Sequence, residues 1–223
     1  MKSQREFAAD HTKDQDHDQM LIEGFLGVIC EAGATEGVSA EQLEAQLRGR
    51  REEVEAENRN LLRDVQSQVH LSVAALVLAT YETLLEHTSQ NGAYELVERA
   101  LTTPFYQSVW DSTRAALDQA KDPFALLRDI GQSLEQDYFG DGFTFEREAD
   151  NGEVFLQNVT RCFYHTFFVR NGRPELTPIF CKSDAAWIDG IDPEKHGVRF
   201  ERPTTIGRGH DMCRFHFFRV SKP

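Results

Sequence analysis

The sequence predicts an α+β protein, in which an N-terminal helical bundle packs on a small C-terminal antiparallel sheet with inserted helices. Apolar residues recur with helical spacing over the first part of the chain. After residue 141, short segments alternate between apolar and polar residues, as half-buried strands do. We therefore expect a helical region at 1–140 and an α+β region at 141–223, a division that is also compatible with one integrated domain.

The helical region contains one unusually long pattern. Residues 52–87 predict a single helix, whose second half, 69–85, is nearly all apolar. This half could lie in the core of one chain or in the interface of a homodimer, and the sequence is equally compatible with both. Asn91-Gly92 predicts a turn, Pro104 predicts a helix break, and Asp122-Pro123 predicts the start of a new helix.

The α+β region predicts four strands, at residues 143–148, 153–158, 198–202 and 212–220. The first two flank Asn151-Gly152, which is a hairpin signal. Residues 161–169 fit a strand and a helix equally, whereas residues 174–188 predict a helix. In the last strand, Cys213 and His216 should point to opposite faces, because side chains alternate along a strand.

Composition excludes several classes of protein. A net charge of −13 over 223 residues argues against a general nucleic-acid binder, which needs clustered Lys and Arg. The longest apolar run, residues 73–79, is too short for a membrane span, and the N-terminus lacks the apolar core of a signal peptide. We expect a cytoplasmic protein whose four cysteines are thiols rather than a disulfide scaffold.

Three of the four cysteines lie between residues 162 and 213, each three residues before a His or an Asp: Cys162–His165, Cys181–Asp184 and Cys213–His216. Residues i and i+3 share a face on a helix but not on a strand. The middle pair lies on a predicted helix, so its members can act together. The first pair can do so only if its segment is helical, and the last pair should diverge.

This spacing is compatible with a metal site, a thiol nucleophile with its base, or coincidence. The diverging last pair argues against a metal held by three equivalent pairs, and compact zinc modules have different spacings. We therefore expect no metal and no cofactor. Cysteine also serves as a small buried apolar side chain, which is the expectation for Cys30 near the end of a helix.

Few of the eight histidines suggest a site. His70 lies on the apolar helix, where we expect a core side chain. His210 lies in the turn before the last strand, where a pocket residue and a plain loop residue are equally expected. His165 is the best candidate base, since a helix would place it on the same side as Cys162. Polar surroundings predict solvation for His11, His17, His87 and His196.

Five short elements in this order carry a resemblance to a known family: Arg161-Cys162, Gly-Arg-Pro-Glu-Leu at 172–176, Phe-Cys-Lys-Ser-Asp at 180–184, Phe-Glu-Arg-Pro-Thr-Thr-Ile at 200–206, and Gly-His-Asp-Met-Cys-Arg-Phe at 209–215. They resemble the C-terminal part of the L-2-amino-thiazoline-4-carboxylic acid hydrolase family. The resemblance covers about residues 143–220, and the helical region is only generally similar.

The resemblance implies a reaction class. The family's named activity opens a five-membered 2-amino-thiazoline ring with water and gives a carbamoyl cysteine, and its members are expected to act on small cyclic amidines or lactam-like rings. The same layout is similar to small-molecule-binding domains of the 4-vinyl-reductase type, which need not catalyse a reaction. A metal-dependent hydrolase built on the Cys/His/Asp cluster is the third alternative.

The residues suggest a mechanism for such a hydrolase as a hypothesis. Cys181 attacks the amidine carbon as a thiolate, and a cation such as His165 lowers its pKa. Asp184 orients the base or pairs with the amidinium. The remaining candidates line the substrate pocket, hold the substrate carboxylate or replace the nucleophile: Cys162, Cys213, His210, Arg161 and Arg208.

Overall fold

The computed structural model describes residues 14–35 and 39–220. Residues 1–13, on which the expectation of no signal peptide rests, lie outside this range, as do His11 and the side chain of His17. The chain forms two compact units. One consists of the described residues up to Leu62 together with residues 68–105, and the other of Arg63–Ser67 together with the described residues from Tyr106 onwards.

The first unit is helical. Its helices are α1 (Asp14–Thr35), α2 (Ala40–Glu57), α3 (Gln66–Leu84, which enters the unit at Gln68) and α4 (Gln90–Thr102). The centre of α3 is buried almost all round, as its apolar sequence predicts: Ala74, Ala75, Leu76, Val77, Leu78 and Ala79. His70 on the same helix is fully buried, which confirms the expectation of a core side chain.

The prediction of one helix over residues 52–87 is wrong, because two polar side chains end one helix and start another. The Asn58 amide donates to Val54 O at 2.9 Å just beyond the end of α2. Asp64 Oδ1 accepts from the Ser67 N–H at 2.7 Å at the start of α3. Such local side-chain hydrogen bonds compete with the helix and favour its termini.

The turn predicted at Asn91-Gly92 is also wrong. These residues form the first turn of α4, where the hydroxyl of the N-cap residue Ser89 accepts from the Gly92 N–H at 3.1 Å. An N-cap hydrogen bond satisfies a donor that a helix start otherwise leaves unpaired, and it outweighs the turn preference of the dipeptide. The break predicted at Pro104 is confirmed, since α4 ends at Thr102.

The second unit begins with two helices, α5 (Tyr106–Gln119) and α6 (Pro123–Leu134). Asp122 is the N-cap of α6, as predicted, and its Oδ1 accepts from the Ala125 N–H at 3.1 Å. Because both helices belong to this unit, the change of composition at residue 141 lies inside it. No helix in the described ranges is both long and apolar enough to cross a membrane.

The sheet confirms the predicted α+β class. Its strands are β1 (Thr144–Asp150), β2 (Val154–Arg161), β3 (Val198–Glu201) and β4 (Cys213–Arg219), all antiparallel in the order β1-β2-β4-β3. Phe217 of β4 pairs with Phe155 of β2 and with Phe200 of β3. This face packs on Leu117 of α5 and Phe124 of α6, which form the core of the unit.

Four short helices connect β2 to β3: α7 (Phe163–Arg170), α8 (Thr177–Ser183), α9 (Ala185–Asp189) and α10 (Pro193–His196). The ambiguous segment at 161–169 is thereby resolved, since the strand ends at Arg161 and a helix follows. Of the helix predicted at 174–188, residues 174–176 form a 3-10 turn, and the rest forms α8 and α9, which meet at Asp184.

The expectation that His196 is solvated is wrong. Its side chain is buried, its Nε2 lies 3.0 Å from Asp118 Oδ1, and its Nδ1 accepts from the Asp192 N–H at 3.0 Å. The hydrogen bond to Asp118 reaches back to α5 from a residue 78 positions later, so the polar local sequence gave no sign of it. His87, by contrast, is exposed as expected.

Candidate functional site

Three thiols of the second unit lie near one another. Cys162 is the N-cap residue of α7, Cys181 lies in α8, and Cys213 begins β4. The charges of Cys181 and Cys213 raise the pKa of Cys162, and the charge of Cys181 raises that of Cys213, which requires the three sulfurs to be close together. Three separate elements therefore bring the thiols into one neighbourhood.

Two of the three thiols are held in their protonated form. Burial raises the pKa of Cys162 to about 12, although the backbone N–H groups of His165 and Tyr164 oppose this rise. Burial likewise raises the pKa of Cys213 to about 11, and its sulfur accepts from the Ile206 N–H at 3.2 Å. Both are poor nucleophiles at neutral pH, because the thiolate is the reactive form.

Cys181 differs in the groups that act on its sulfur. Like Cys162 it is partly exposed, and burial raises its pKa, with the Asp184 carboxylate adding to the rise. Three groups act in the opposite direction: the Arg202 guanidinium, the Thr205 hydroxyl and the Gly207 N–H. A cation and two hydrogen-bond donors thus surround the sulfur and stabilise its thiolate.

A glycine brings the second donor to this sulfur. Gly207 lies in the 3-10 turn Ile206–Arg208, between β3 and β4. A Cβ added at this position would meet Cys181 Sγ at 2.9 Å and Thr177 Cγ2 at 3.1 Å. The backbone of the turn can approach α8 this closely only because residue 207 has no side chain.

Asp184 and Cys181 are linked through Arg202. The guanidinium donates to Asp184 Oδ2 at 2.5 Å and to the Cys181 carbonyl oxygen at 2.7 Å, and it lies over the ring of Phe215. The other carboxylate oxygen accepts from Trp187 Nε1 at 3.2 Å. Burial raises the pKa of Asp184, while the contacts with Arg202 and Trp187 oppose that rise.

His165 lies beside the same face of α8. Its Nδ1 is 3.4 Å from the hydroxyl of Thr177, which precedes Cys181 by one helical turn and also borders Gly207. Burial lowers the pKa of His165, so its ring is neutral at pH 7 and can accept a proton. The ring is therefore suited to act as a base and not as the cation that sequence analysis expected.

The helix on which joint action of Cys162 and His165 depended does form, as α7. At its start, however, the sulfur of Cys162 interacts with the backbone N–H of His165, whereas the imidazole ring contacts Thr177.

Cys213 and His216 lie on opposite faces of β4, as the alternation along the strand requires. His216 Nε2 lies 3.0 Å from Asn158 Oδ1 on β2, and the Asn158 amide donates to Glu148 at 3.2 Å. Burial lowers the pKa of His216. This chain of polar side chains runs across the sheet face that is turned away from the thiols.

The two candidate arginines differ in what they bind. Arg161 donates to Thr144 Oγ1 at 3.1 Å and to the carbonyl oxygen of Asp141 at 2.7 Å, so its guanidinium is committed to the start of β1. Arg208 is exposed and forms no ion pair with the residues that the structure describes. His210 is exposed in the same turn region, and its N–H donates to the Thr205 carbonyl at 3.3 Å.

Arg202, Thr205 and Gly207 are not among the site residues predicted from the sequence, although all three contact Cys181 or influence its pKa. The first two belong to the 200–206 element quoted for the family resemblance, which was the available signal. In the described parts of the chain, no group of three or more His, Cys, Asp or Glu side chains is placed to hold a metal ion.

Comparison with known proteins gives one match. The family model of L-2-amino-thiazoline-4-carboxylic acid hydrolase matches residues 69–217. This range extends from α3 into β4 and exceeds that of the five short elements. No curated protein and no solved structure matches the chain. Because the match covers well over half of the 223 residues, the chain belongs to the L-2-amino-thiazoline-4-carboxylic acid hydrolase family, whose name describes a hydrolase.

Proposed function

We propose that the protein opens a small cyclic amidine or lactam-like ring, of the 2-amino-thiazoline-carboxylate type, with Cys181 as nucleophile. The observation that carries this proposal is the setting of the Cys181 sulfur among Arg202, Thr205 and Gly207. The other two thiols of the cluster are more strongly held as neutral groups, with pKa values of about 12 and about 11. The family supplies the reaction class.

In the first step, the Cys181 thiolate adds to the amidine carbon, and the electron pair of the C=N bond moves to nitrogen, which takes a proton. The ring carbon–sulfur bond then breaks, and the substrate sulfur leaves as a thiol after protonation. The product on the enzyme is a thioimidate of the isothiourea type. Water adds to its carbon and expels the Cys181 thiolate, which gives the carbamoyl product and restores the enzyme.

His165 is assigned the proton transfers. Its ring is neutral because burial lowers its pKa, and a neutral imidazole can take the thiol proton and later activate the water. Its contact with Thr177, one turn before Cys181, supports this role. Asp184 is assigned to holding Arg202 in place, since both of its carboxylate oxygens already accept hydrogen bonds.

Arg208 is assigned to the substrate carboxylate. It follows Gly207 directly, its side chain is exposed, and it forms no ion pair with any described residue, so its guanidinium is available for a bidentate contact. Arg161 is less suited, because it already binds Asp141 and Thr144. His210 borders this position, and the two remaining thiols, Cys162 and Cys213, are assigned to the wall of the site.

The nucleophile is tested by replacing each thiol separately. Hydrolysis of L-2-amino-thiazoline-4-carboxylate is measured for Cys181→Ala, Cys162→Ala and Cys213→Ala, with the fold checked by circular dichroism. We expect loss of turnover in Cys181→Ala and retained turnover in the other two. Cys30→Ala, which removes a thiol of the first unit, is the matched control. Undiminished turnover in Cys181→Ala would contradict the proposal.

A further inference from the structure

Thr205 carries a buried hydroxyl that has no hydrogen-bond partner among the described residues. The residue is 4% exposed, so bulk solvent has little access to its hydroxyl. Burying an unpaired hydroxyl costs free energy, and in native proteins such groups are rare enough to need a reason.

The backbone position of Thr205 offers an alternative that the side chain does not use. Thr205 is the N-cap residue of the turn Ile206–Arg208, with extended backbone angles (φ −140°, ψ 144°), yet its side chain makes no capping hydrogen bond. Thr at an N-cap ordinarily accepts from an N–H two or three residues later. The Thr205 hydroxyl thus makes no hydrogen bond with the backbone N–H groups of the turn that follows it.

The hydroxyl is instead close to the Cys181 sulfur. It lowers the pKa of that thiol, which is the effect of a donor directed at a developing negative charge. The Gly207 N–H acts on the same sulfur from the same turn, and the close approach of Gly207 to Cys181 Sγ fixes the distance between turn and helix. Thr is also stiff at χ1, which favours a preset direction.

We propose that Thr205 is a catalytic residue of the hydrolysis proposed above, in which its hydroxyl donates a hydrogen bond to the Cys181 sulfur when the thiolate forms. In the resting enzyme the sulfur is a thiol, which is only a weak acceptor, and the hydroxyl makes no hydrogen bond with a described residue. Ionisation of the thiol turns the sulfur into a strong acceptor for this hydroxyl. The unpaired hydroxyl thus raises the free energy of the thiol form, and its hydrogen bond to the sulfur lowers the free energy of the thiolate form.

The magnitude follows from thiol chemistry. Nucleophilicity falls as a thiol becomes more acidic, with a Brønsted coefficient of about 0.5, so about half of the stabilisation of the thiolate survives in the transition state. Each pKa unit contributed by Thr205 should therefore raise the rate of attack at neutral pH about threefold. Loss of the hydroxyl should raise the pKa of Cys181 and lower kcat/KM about threefold for each unit of that rise.

The test compares Thr205→Val, which removes the hydroxyl and keeps the shape, with Thr205→Ser, which keeps the hydroxyl. The rate of Cys181 alkylation by iodoacetamide is followed against pH, with peptide mass spectrometry to separate Cys181 from the other thiols. Thr205→Val should shift the profile to higher pH and lower kcat/KM without lowering Tm. Thr205→Ser should keep the wild-type profile.

Thr80 provides the matched control. Its hydroxyl is also buried without a partner among the described residues, but it lies on α3 in the first unit. Thr80→Val should leave both the alkylation profile and kcat/KM unchanged. A purely structural role of Thr205 would instead lower Tm in Thr205→Val and leave the profile of the folded protein unchanged.

A Thr205→Val alkylation profile that coincides with that of the wild type overturns the inference. If Thr205→Val does not fold, Thr205→Ala is measured in its place. Identical alkylation profiles for Thr205→Ala and Thr205→Ser would then also overturn the inference. The proposed function fails separately: turnover that survives Cys181→Ala removes the nucleophile, whereas the alkylation profiles still decide whether the hydroxyl stabilises the thiolate.

Discussion

The apolar helix α3 and the surroundings of Cys181 are organised in opposite ways. In α3, consecutive residues from Ala74 to Ala79 are buried, and every one of them is apolar. Around Cys181, the contacts come from α8, from Arg202 after β3 and from the turn Ile206–Arg208. The apolar sequence of one stretch predicts the burial of the first region, whereas no single stretch predicts the second, because its contacts come from separate segments.

The largest effect on stability should come from α3. Leu76 is 2% exposed, so Leu76→Ala should lower the free energy of unfolding by about 3 kcal/mol through lost burial and a cavity. Chemical denaturation measures this value. Val65→Ala, at a position that is 68% exposed, should change it by less than about 0.5 kcal/mol. Similar losses at both positions would refute the difference in packing.

Replacing Arg202 should have the next largest effect on stability, because Arg202 connects the end of β3 to Cys181 and Asp184. Arg202→Gln leaves the half-buried Asp184 carboxylate without its cation and should cost about 2 kcal/mol in unfolding free energy. It should also move alkylation of Cys181 to higher pH, since Arg202 lowers that pKa.

The control for Arg202 lies on the neighbouring strand β3. Arg199 pairs with Glu201 at an exposed position, so Arg199→Gln should cost less than about 0.5 kcal/mol. Equal unfolding free energies for Arg202→Gln and Arg199→Gln would contradict a structural role of the Arg202 contacts.

Gly207 and Gly49 differ in the space that surrounds them. Gly207→Ala places a Cβ 2.9 Å from the Cys181 sulfur and should reduce kcat/KM about tenfold by displacing the turn. Gly49 in α2 has open space around it, so Gly49→Ala should leave activity unchanged and raise stability by about 0.5–1 kcal/mol. Steady-state kinetics and thermal unfolding of the two variants test both statements, and full activity in Gly207→Ala would contradict the first.

The smallest effect should be a pH dependence. Burial lowers the pKa of His165 in the folded protein, so the unfolded chain binds the proton more readily. The contribution of neutral His165 is present above about pH 6.5 and is lost as the pH falls from there towards the folded pKa. His165→Gln should reduce the loss of unfolding free energy between pH 8 and acidic pH, which chemical denaturation at each pH measures.

The exposed His87 gives the control for this measurement, since His87→Gln should keep the wild-type drop. The same His165→Gln variant should lose the acidic limb of the kcat/KM profile. An unchanged limb would remove His165 from the proton transfers.

Local patterns predicted what local interactions build. The four strands, the N-cap at Asp122 and the break at Pro104 follow from alternation, capping and proline geometry, and all are present. The failures have physical causes too. Asn58 and Asp64 divide the predicted helix at 52–87 through hydrogen bonds to neighbouring backbone groups, which periodicity of apolar residues does not register.

The candidate site was predictable in part. The gathering of three thiols was visible as a concentration of cysteines, and helix geometry placed Cys181 and Asp184 on one side of a helix. The link through Arg202 and the approach of Thr205 to the sulfur were not visible, because they join residues 18 to 24 positions apart, with α9, α10 and β3 between them. Only the folded chain brings these groups to the thiol.

The strand order has a consequence for folding. The β1–β2 hairpin is local and can pair early, but among the described strands β3 pairs with β4 alone, and β4 lies between β2 and β3. Neither β3 nor the turn that follows it can reach its native position until β4 has been inserted. Pairing across such separations is slow. During refolding, Cys181 should therefore react like an exposed cysteine until β4 has paired with β2 and β3. Activity should return when this pairing is complete rather than when the helices form.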